Sequence, residues 1–502
     1  MTRSRRPTLL AIGIDAAEPT FVRRHLDQGD LPELGRLAAE GTWGSVVSPA
    51  PIGSGAVWPT FLTGRHPAEH GLHGEWVWRP GTMDLGPLAW DHLDPFWRSD
   101  AARGRRVAVL DVPFAPLLGV PGCVEVLDWG AHDLLGGRLQ VAPRHLEPLV
   151  VETGGVHPFA AGFVGPAGPL DRAGLERSVA RCLAGVAQRG RLARRLLTDT
   201  APDLLVLTFT ELHRAGHLLW HTVDPAHPDH AGATEGDGPR PGLVDILAAI
   251  DAEIGRLRDL AGPEAAIVVF SLHGMRRARG IPTVLGPLLE AQGFAVPRPW
   301  RQRSARERAA GMLSAVKRSV PGPLKRLYHG WLPEQMTGLL TQPSMPLPAY
   351  DWSRTTAMAL PTDQHGWVRV NLRGREARGI VEPPGYVELC ERIEGALRAA
   401  RDIDGRPVVR AVLRTAADAR AAATSLLPDL VVHWDDVTFR SPVRLGQPAL
   451  AAPSVGLQFT GQHAPEGFYL VRAPEGRAGS DGSPVEAERL HRLFRDVAGW
   501  PD

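Results

Sequence analysis

The chain has 502 residues, 43% hydrophobic and 22% charged, with 56 basic side chains against 55 acidic ones. That length supplies one large core or two to three modest ones, and a net charge of +1 gives no electrostatic reason to expect a nucleic-acid polymer or a membrane surface as partner. No stretch approaches the roughly 18 apolar residues of a membrane span, and Gly plus Pro, about a fifth of the chain, stays below the level of low-complexity disorder.

In chain order, Arg3, Arg5 and Arg6 precede an apolar run in the manner of a secretory signal. The run is too short for one and ends at Asp15 instead of a small-residue cleavage site, so it reads as a buried strand, Thr8–Ile14, and the cytoplasm is the expected compartment. An amphipathic helix is predicted over Pro32–Glu40, and Ser54–Gly64 reads as a loop entering a helix. Further strands are predicted over Arg106–Val112, Asp203–Thr208 and Ala265–Ser271, with helices over Leu175–Thr198 and Leu243–Leu260. His221–Pro241, rich in Pro, Gly, Asp and His, reads as a loop. Arg298–Arg326 is strongly basic with Glu307 its one acid, either a solvated helical face or a cap that attracts an anionic substrate. Ala473–Pro484 reads as loose, and a short helix, Pro484–Val497, closes the chain. Continuous apolar strands alternating with helices give an α/β layer fold whose sheet is covered on both faces. The expected division is a first part of the α/β core over 1–275, a basic insertion or cap over 276–350, a second part of the core over 351–472, and a tail with a short helix over 473–502. Cys123, Cys182 and Cys390 are far apart and odd in number, so they make neither a disulfide framework nor a metal motif and read as small buried hydrophobes.

In such sheets functional groups collect at the carboxyl ends of strands, where Asp15, the Thr210–His217 segment and His273 all fall. Asp15 either caps the next helix or binds a cation. Ser54 is either an N-cap or a nucleophile whose alkoxide helix amides and a nearby cation would stabilise. His213 and His217, four apart, share one face of a helix and suit one metal ion. Their spacing is that of the zincin pair, but Arg214 stands where that motif needs its general-base Glu, which argues against a zinc peptidase. His273 before Gly274 suits a ligand presented from a tight turn, and His463 in Gly461–Gly467 is expected on an exposed Gly/Pro-framed loop; each is equally a structural histidine.

Taken together and in this order, the segments resemble the alkaline phosphatase superfamily, in its type I phosphodiesterase/nucleotide pyrophosphatase branch. The resemblance runs from Thr8 to Leu470 and is weakest in the basic insertion. It implies a three-layer α/β/α sandwich with a central, mostly parallel sheet and inserted cap or loop segments. It matches Asp15 to the first metal ligand, Ser54 to the nucleophile, Thr63–Gly71 (Thr-Gly-Arg-His-Pro-Ala-Glu-His-Gly) to the block after it, and His217, His273 and His463 to three histidine ligands. Two positions depart: His213 and Leu272 stand where the family has aspartates. His213, His217 and His463 would form a three-histidine set suited to zinc, with manganese the alternative. A second, weaker ion would rest on Asp15, Ser54 and His273, with Glu211, Asp363 or His365 as additional ligands or substrate contacts. The implied activity is metal-dependent hydrolysis of a small phosphorylated substrate, a phosphodiester or nucleotide pyrophosphate before a monoester, through a Ser54 phosphoenzyme. Alternatives are an inactive or one-metal relative that binds phosphate esters, and a phosphoglycerate-type mutase. Ser54-Gly55-Ala56-Val57-Trp58 does not fit the sulfatase pattern, and Trp58, Trp76 and Trp78 are candidates either for stacking a leaving group or for the core. Oligomeric state is left open.

Overall fold

The structure is a computed structural model that describes residues 9–74, 76–130, 139–159, 170–227, 229–230, 242–278, 284–299, 301, 308, 349–362, 364–435, 443–444, 459–474 and 479–500. Asp363 and most of the basic 298–326 segment lie outside these residues.

Three six-residue strands, Leu9–Ile14, Leu204–Phe209 and Ala266–Ser271, are buried at every position. Strands this apolar need cover on both faces, which is the condition of a parallel sheet between helices. Leu9 lies beside both Leu204 and Ala266, and the three run parallel in register. Among the described residues they form the centre of a nine-stranded sheet. Its order is Val485–Glu486, Thr42–Val47, Glu466–Arg472, Ala266–Ser271, Leu9–Ile14, Leu204–Phe209, Val107–Leu110, Cys123–Leu127 and Gln140–Ala142. Glu466–Arg472 and Gln140–Ala142 run against their neighbours; the other pairings, all parallel, make the sheet mostly parallel.

Alternate side chains of these strands feed two separate cores. Leu10, Ile12, Leu205, Leu207, Ile267 and Val269 pack under helices Pro32–Glu40, Arg172–Thr200, Glu211–Val223 and Gly242–Ala261. Leu9, Ala11, Leu204, Val206, Val268 and Phe270 pack under Val57–Thr63, Trp97–Ala102 and Leu490–Ala498. The result is the helix–sheet–helix sandwich expected. Because the central strands are in register, Asp15, Thr210 and Leu272 all emerge at one edge, the carboxyl ends of the strands.

Several boundaries differ from those read in the sequence. Asp171 caps the long helix by accepting from the Gly174 amide, so it starts at Arg172 and ends at Thr200. The helix Glu211–Val223 continues through His221, which therefore is not in a loop. The closing helix is Leu490–Ala498, preceded by an edge strand Val485–Glu486 that pairs with Val46 and Val47. The three cysteines are free and buried. Among the described residues, no helix is long and apolar enough to cross a membrane.

A second, four-stranded sheet of Ala357–Leu360, Gly366–Val370, Leu430–Trp434 and Val409–Arg414 has its own core, shared with helices Leu285–Ala291 and Tyr386–Arg398. Gly366 lies opposite Val432 and Trp367 opposite Val431. Continued one residue, that register sets His365 against His433, whose rings lie 4.8 Å apart.

Candidate metal centre

The helix Glu211–Val223 follows directly from the strand Leu204–Phe209 and carries His213 and His217 one turn apart on its buried face. His463 reaches them from a strand, Gly461–Ala464, which pairs antiparallel with Gly274–Arg277 so that His463 faces Met275. The exposed loop expected around His463 is thus one strand of a two-stranded antiparallel sheet, and His463 is buried. Backbone pairing with Gly274–Arg277 fixes the imidazole that a loop would leave mobile.

The Nε2 atoms of His213 and His217 lie 2.9 Å apart, and those of His213 and His463 2.6 Å apart. Their outer nitrogens decide what this means. His217 Nδ1 donates to the Gly461 carbonyl at 2.9 Å, and His213 Nδ1 donates to Asp15 Oδ2 at 2.6 Å. Both acceptors lack protons, so in neutral imidazoles both Nε2 atoms carry lone pairs that face each other. His463 has at most one Nε2 proton to offer the two of them. A divalent cation satisfies all three nitrogens at once, and three histidines with an open fourth position are a zinc-type donor set. This is the one group of three or more His, Cys, Asp or Glu side chains among the described residues able to hold a metal ion.

Asp15 stands at the hub. Besides His213, its Oδ1 accepts from Trp58 Nε1 at 3.1 Å and lies 3.4 Å from His273 Nε2. Burial opposes its ionisation, but His213 and then His273 hold the carboxyl well below the usual range. His273 donates from Nδ1 to the Gly274 carbonyl at 3.1 Å. Ser271 fixes this turn, accepting from the Ala17 amide and donating to the His273 carbonyl. Leu272 packs in the apolar cluster that contains Val57, Phe61 and Phe270. Ser54 opens a 3-10 turn, Ser54–Ala56, that runs into the helix Val57–Thr63, one turn ahead of Trp58.

Other candidates are spent elsewhere. The carboxylate of Glu211 receives Arg189 and sits 2.9 Å from His157 Nε2. Burial raises its pKa, yet Arg189 and His157 outweigh burial and leave it at about 2. Arg189 also donates to Asp111, which in turn accepts from the amides of Trp129 and Gly130. This fully buried ion cluster anchors the start of the helix that bears His213. His365 donates from Nε2 to the Ala50 carbonyl at 3.0 Å. Trp58 and Trp78 are buried, with their indole N–H groups on Asp15 and Glu376, so neither offers a stacking platform. Asp363 lies outside the described residues.

Residues 9–331 match the sequence profile of the family named type I phosphodiesterase/nucleotide pyrophosphatase, well over half of the chain. The chain belongs to that family. Membership makes it a phosphoric-ester hydrolase of the phosphodiesterase and pyrophosphatase kind. No curated protein matches it in sequence. Among solved structures, phosphonoacetate hydrolase from Sinorhizobium meliloti 1021 in complex with phosphonoformate is similar with a TM-score of 0.53 at 16% identity, covering 98% of this chain and 95% of that one. The same hydrolase with phosphonoacetate gives 0.50 at 15% identity over the same shares of the two chains, 98% and 95%. Murine ectonucleotide pyrophosphatase/phosphodiesterase 5, an inactive form in complex with AMP, gives 0.47 at 10% identity over 99% and 96%. The first likeness establishes the fold as alkaline-phosphatase-like.

Proposed function

We propose that this family member hydrolyses phosphoric diesters or nucleotide pyrophosphates in preference to monoesters, with Ser54 as nucleophile and one divalent ion, zinc before manganese, held by His213, His217 and His463. The observation that carries the reading is the convergence of three Nε2 atoms whose outer nitrogens are committed to Asp15 and Gly461. When bound, such an ion supplies Lewis-acid polarisation of a phosphoryl oxygen and neutralises charge on the leaving oxygen. Ser54 Oγ attacks phosphorus, the bond from phosphorus to the leaving oxygen breaks, and water later releases the phosphate from Ser54. The Ser54 proton leaves on the departing oxygen, while His273, with Nδ1 on the Gly274 carbonyl and Nε2 3.4 Å from Asp15 Oδ1, helps hold the Asp15 carboxylate in place.

In this reading Asp15 orients His213 and strengthens it as a ligand, the carboxylate–histidine–metal arrangement of many zinc sites. Support comes from its oxygens, which already meet His213, Trp58 and His273, and from the apolar packing of Leu272, which supplies no carboxylate for a second ion. Asp15→Asn is therefore expected to weaken metal affinity by about 10–100-fold, read by competition with a chelating dye. Unchanged affinity would take that role from Asp15.

Elemental analysis together with assays on bis(p-nitrophenyl) phosphate and p-nitrophenyl phosphate tests the activity. The expected result is about one transition-metal ion per chain, diester turnover abolished by chelator and restored by zinc, and slower monoester turnover. A protein without stoichiometric metal, indifferent to chelator, would instead be a phosphate-ester-binding relative, a reading that Leu272 in its apolar cluster favours.

A further inference from the structure

The residues before Ser54 are held by the other sheet. Trp367 lies in the strand Gly366–Val370 of the four-stranded sheet and His365 directly precedes that strand; continued one residue, the register sets His365 opposite His433, whose ring lies 4.8 Å away. Each presents an N–H to a successive carbonyl of one loop. His365 Nε2 donates to Ala50 at 3.0 Å, His433 Nε2 to Pro51 at 2.7 Å and Trp367 Nε1 to Ile52 at 2.8 Å. These bonds span more than 300 residues of chain, so they are built by the packing of the two sheets and not by local turn chemistry.

The loop is clamped by shape as well. A Cβ on Gly53 would lie 2.1 Å from the His73 carbonyl oxygen and 2.7 Å from the Trp367 ring, and one on Gly74 would lie 2.3 Å from that ring. The chain on either side of Ser54 is therefore pressed between His73–Gly74 and the Trp367 indole. Acceptance of a proton by a carbonyl requires the Nε2–H form of both His365 and His433, and burial lowers the pKa of His433, which keeps its neutral form.

We propose that His365, Trp367 and His433 are positioning residues, which fix the Ser54 hydroxyl for attack through the carbonyls of Ala50, Pro51 and Ile52 without touching substrate. The proposal rests on Ser54 being the nucleophile. The bonds end on backbone carbonyls of the loop before Ser54, and a nucleophile displaced by about 1 Å loses on the order of 10²-fold in rate. The smaller sheet thus acts as a backing plate for the catalytic loop of the larger one.

The test uses the whole metal-loaded chain with bis(p-nitrophenyl) phosphate, comparing His433→Ala, His433→Gln, which keeps an N–H at a similar reach, and Trp367→Phe, which removes the indole N–H and the part of the ring against Gly53 and Gly74. Expected are a fall in kcat of about 10–100-fold for His433→Ala and Trp367→Phe, little change in KM or metal content, faster amide exchange over residues 48–56, and recovery of most of kcat in His433→Gln. Parent kcat in His433→Ala and Trp367→Phe, or a Gln variant no better than the Ala variant, overturns the proposal. So does parent-like exchange over 48–56 in His433→Ala. Ser54→Ala measured in parallel separates the two ideas: parent turnover there removes the nucleophile reading, whereas the His433 and Trp367 outcomes judge the clamp.

Discussion

Ser54→Ala is expected to abolish turnover of aryl phosphodiesters, by on the order of 10⁴–10⁶-fold, while the protein keeps its full metal content. The size follows from the proposed role of Ser54: without its hydroxyl only water, a poorer and unpositioned nucleophile, would be left to attack phosphorus. Structure is little perturbed by the change, because the segment is held by its backbone, through the carbonyls of Ala50, Pro51 and Ile52 and the close approach of Gly53 to His73. The measurement is kcat beside metal stoichiometry. Hydrolysis persisting in the variant at more than a trace would move the nucleophile to water and Ser54 to a mere helix-entry residue.

Arg189→Met is expected to cost about 3–5 kcal/mol of folding stability. Arg189 is fully buried and joins two carboxylates, Asp111 and Glu211, that have no access to water. Methionine fills much of the space but removes the cation bonded to both carboxylates, leaving Glu211 with His157 at 2.9 Å and the field of Arg214, and a buried charge stripped of its bonded partner costs more than the pair gains. The effect should also reach the metal. Glu211 is the first residue of the helix that carries His213 and His217, so loosening its carboxylate loosens the turn beneath them. Denaturant unfolding of parent and variant reads the loss, with metal affinity measured alongside. A destabilisation below about 1 kcal/mol would mean that the cluster can repack around its missing cation.

The site was legible in the sequence where chemistry is local. Asp15 and His273 announce themselves by following apolar strands, and His213 and His217 by a helical spacing that puts both rings on one face. Leu272 was equally plain, since no apolar side chain ligates a metal. What the sequence hid depends on pairing across distance. Nothing local distinguishes Arg189 from the solvated arginines around it on its helix, although Cys182, Gly185, Val186, Leu192, Ala193 and Leu196 mark that face as buried. Asp111 offered the same strand-end signal as Asp15 and could have been found by it. Glu211 and His365 read as spare ligands because their partners, Arg189, His157 and the Ala50 carbonyl, lie 22, 54 and 315 residues away. His463 read as a loop residue because Gly461 and Pro465 suggest a turn, whereas pairing with Gly274–Arg277 overrides that local preference.

The three imidazoles come from two stretches of polypeptide 250 residues apart. A metal ion seated among them would close that whole span into a ring, much as a covalent crosslink would, and the entropy of closing so long a loop grows only slowly with its length. Occupancy and foldedness would then be linked: an ion bound only by the folded chain would stabilise the contact between the Gly461–Ala464 strand and the helix, which already share the bond from His217 to the Gly461 carbonyl.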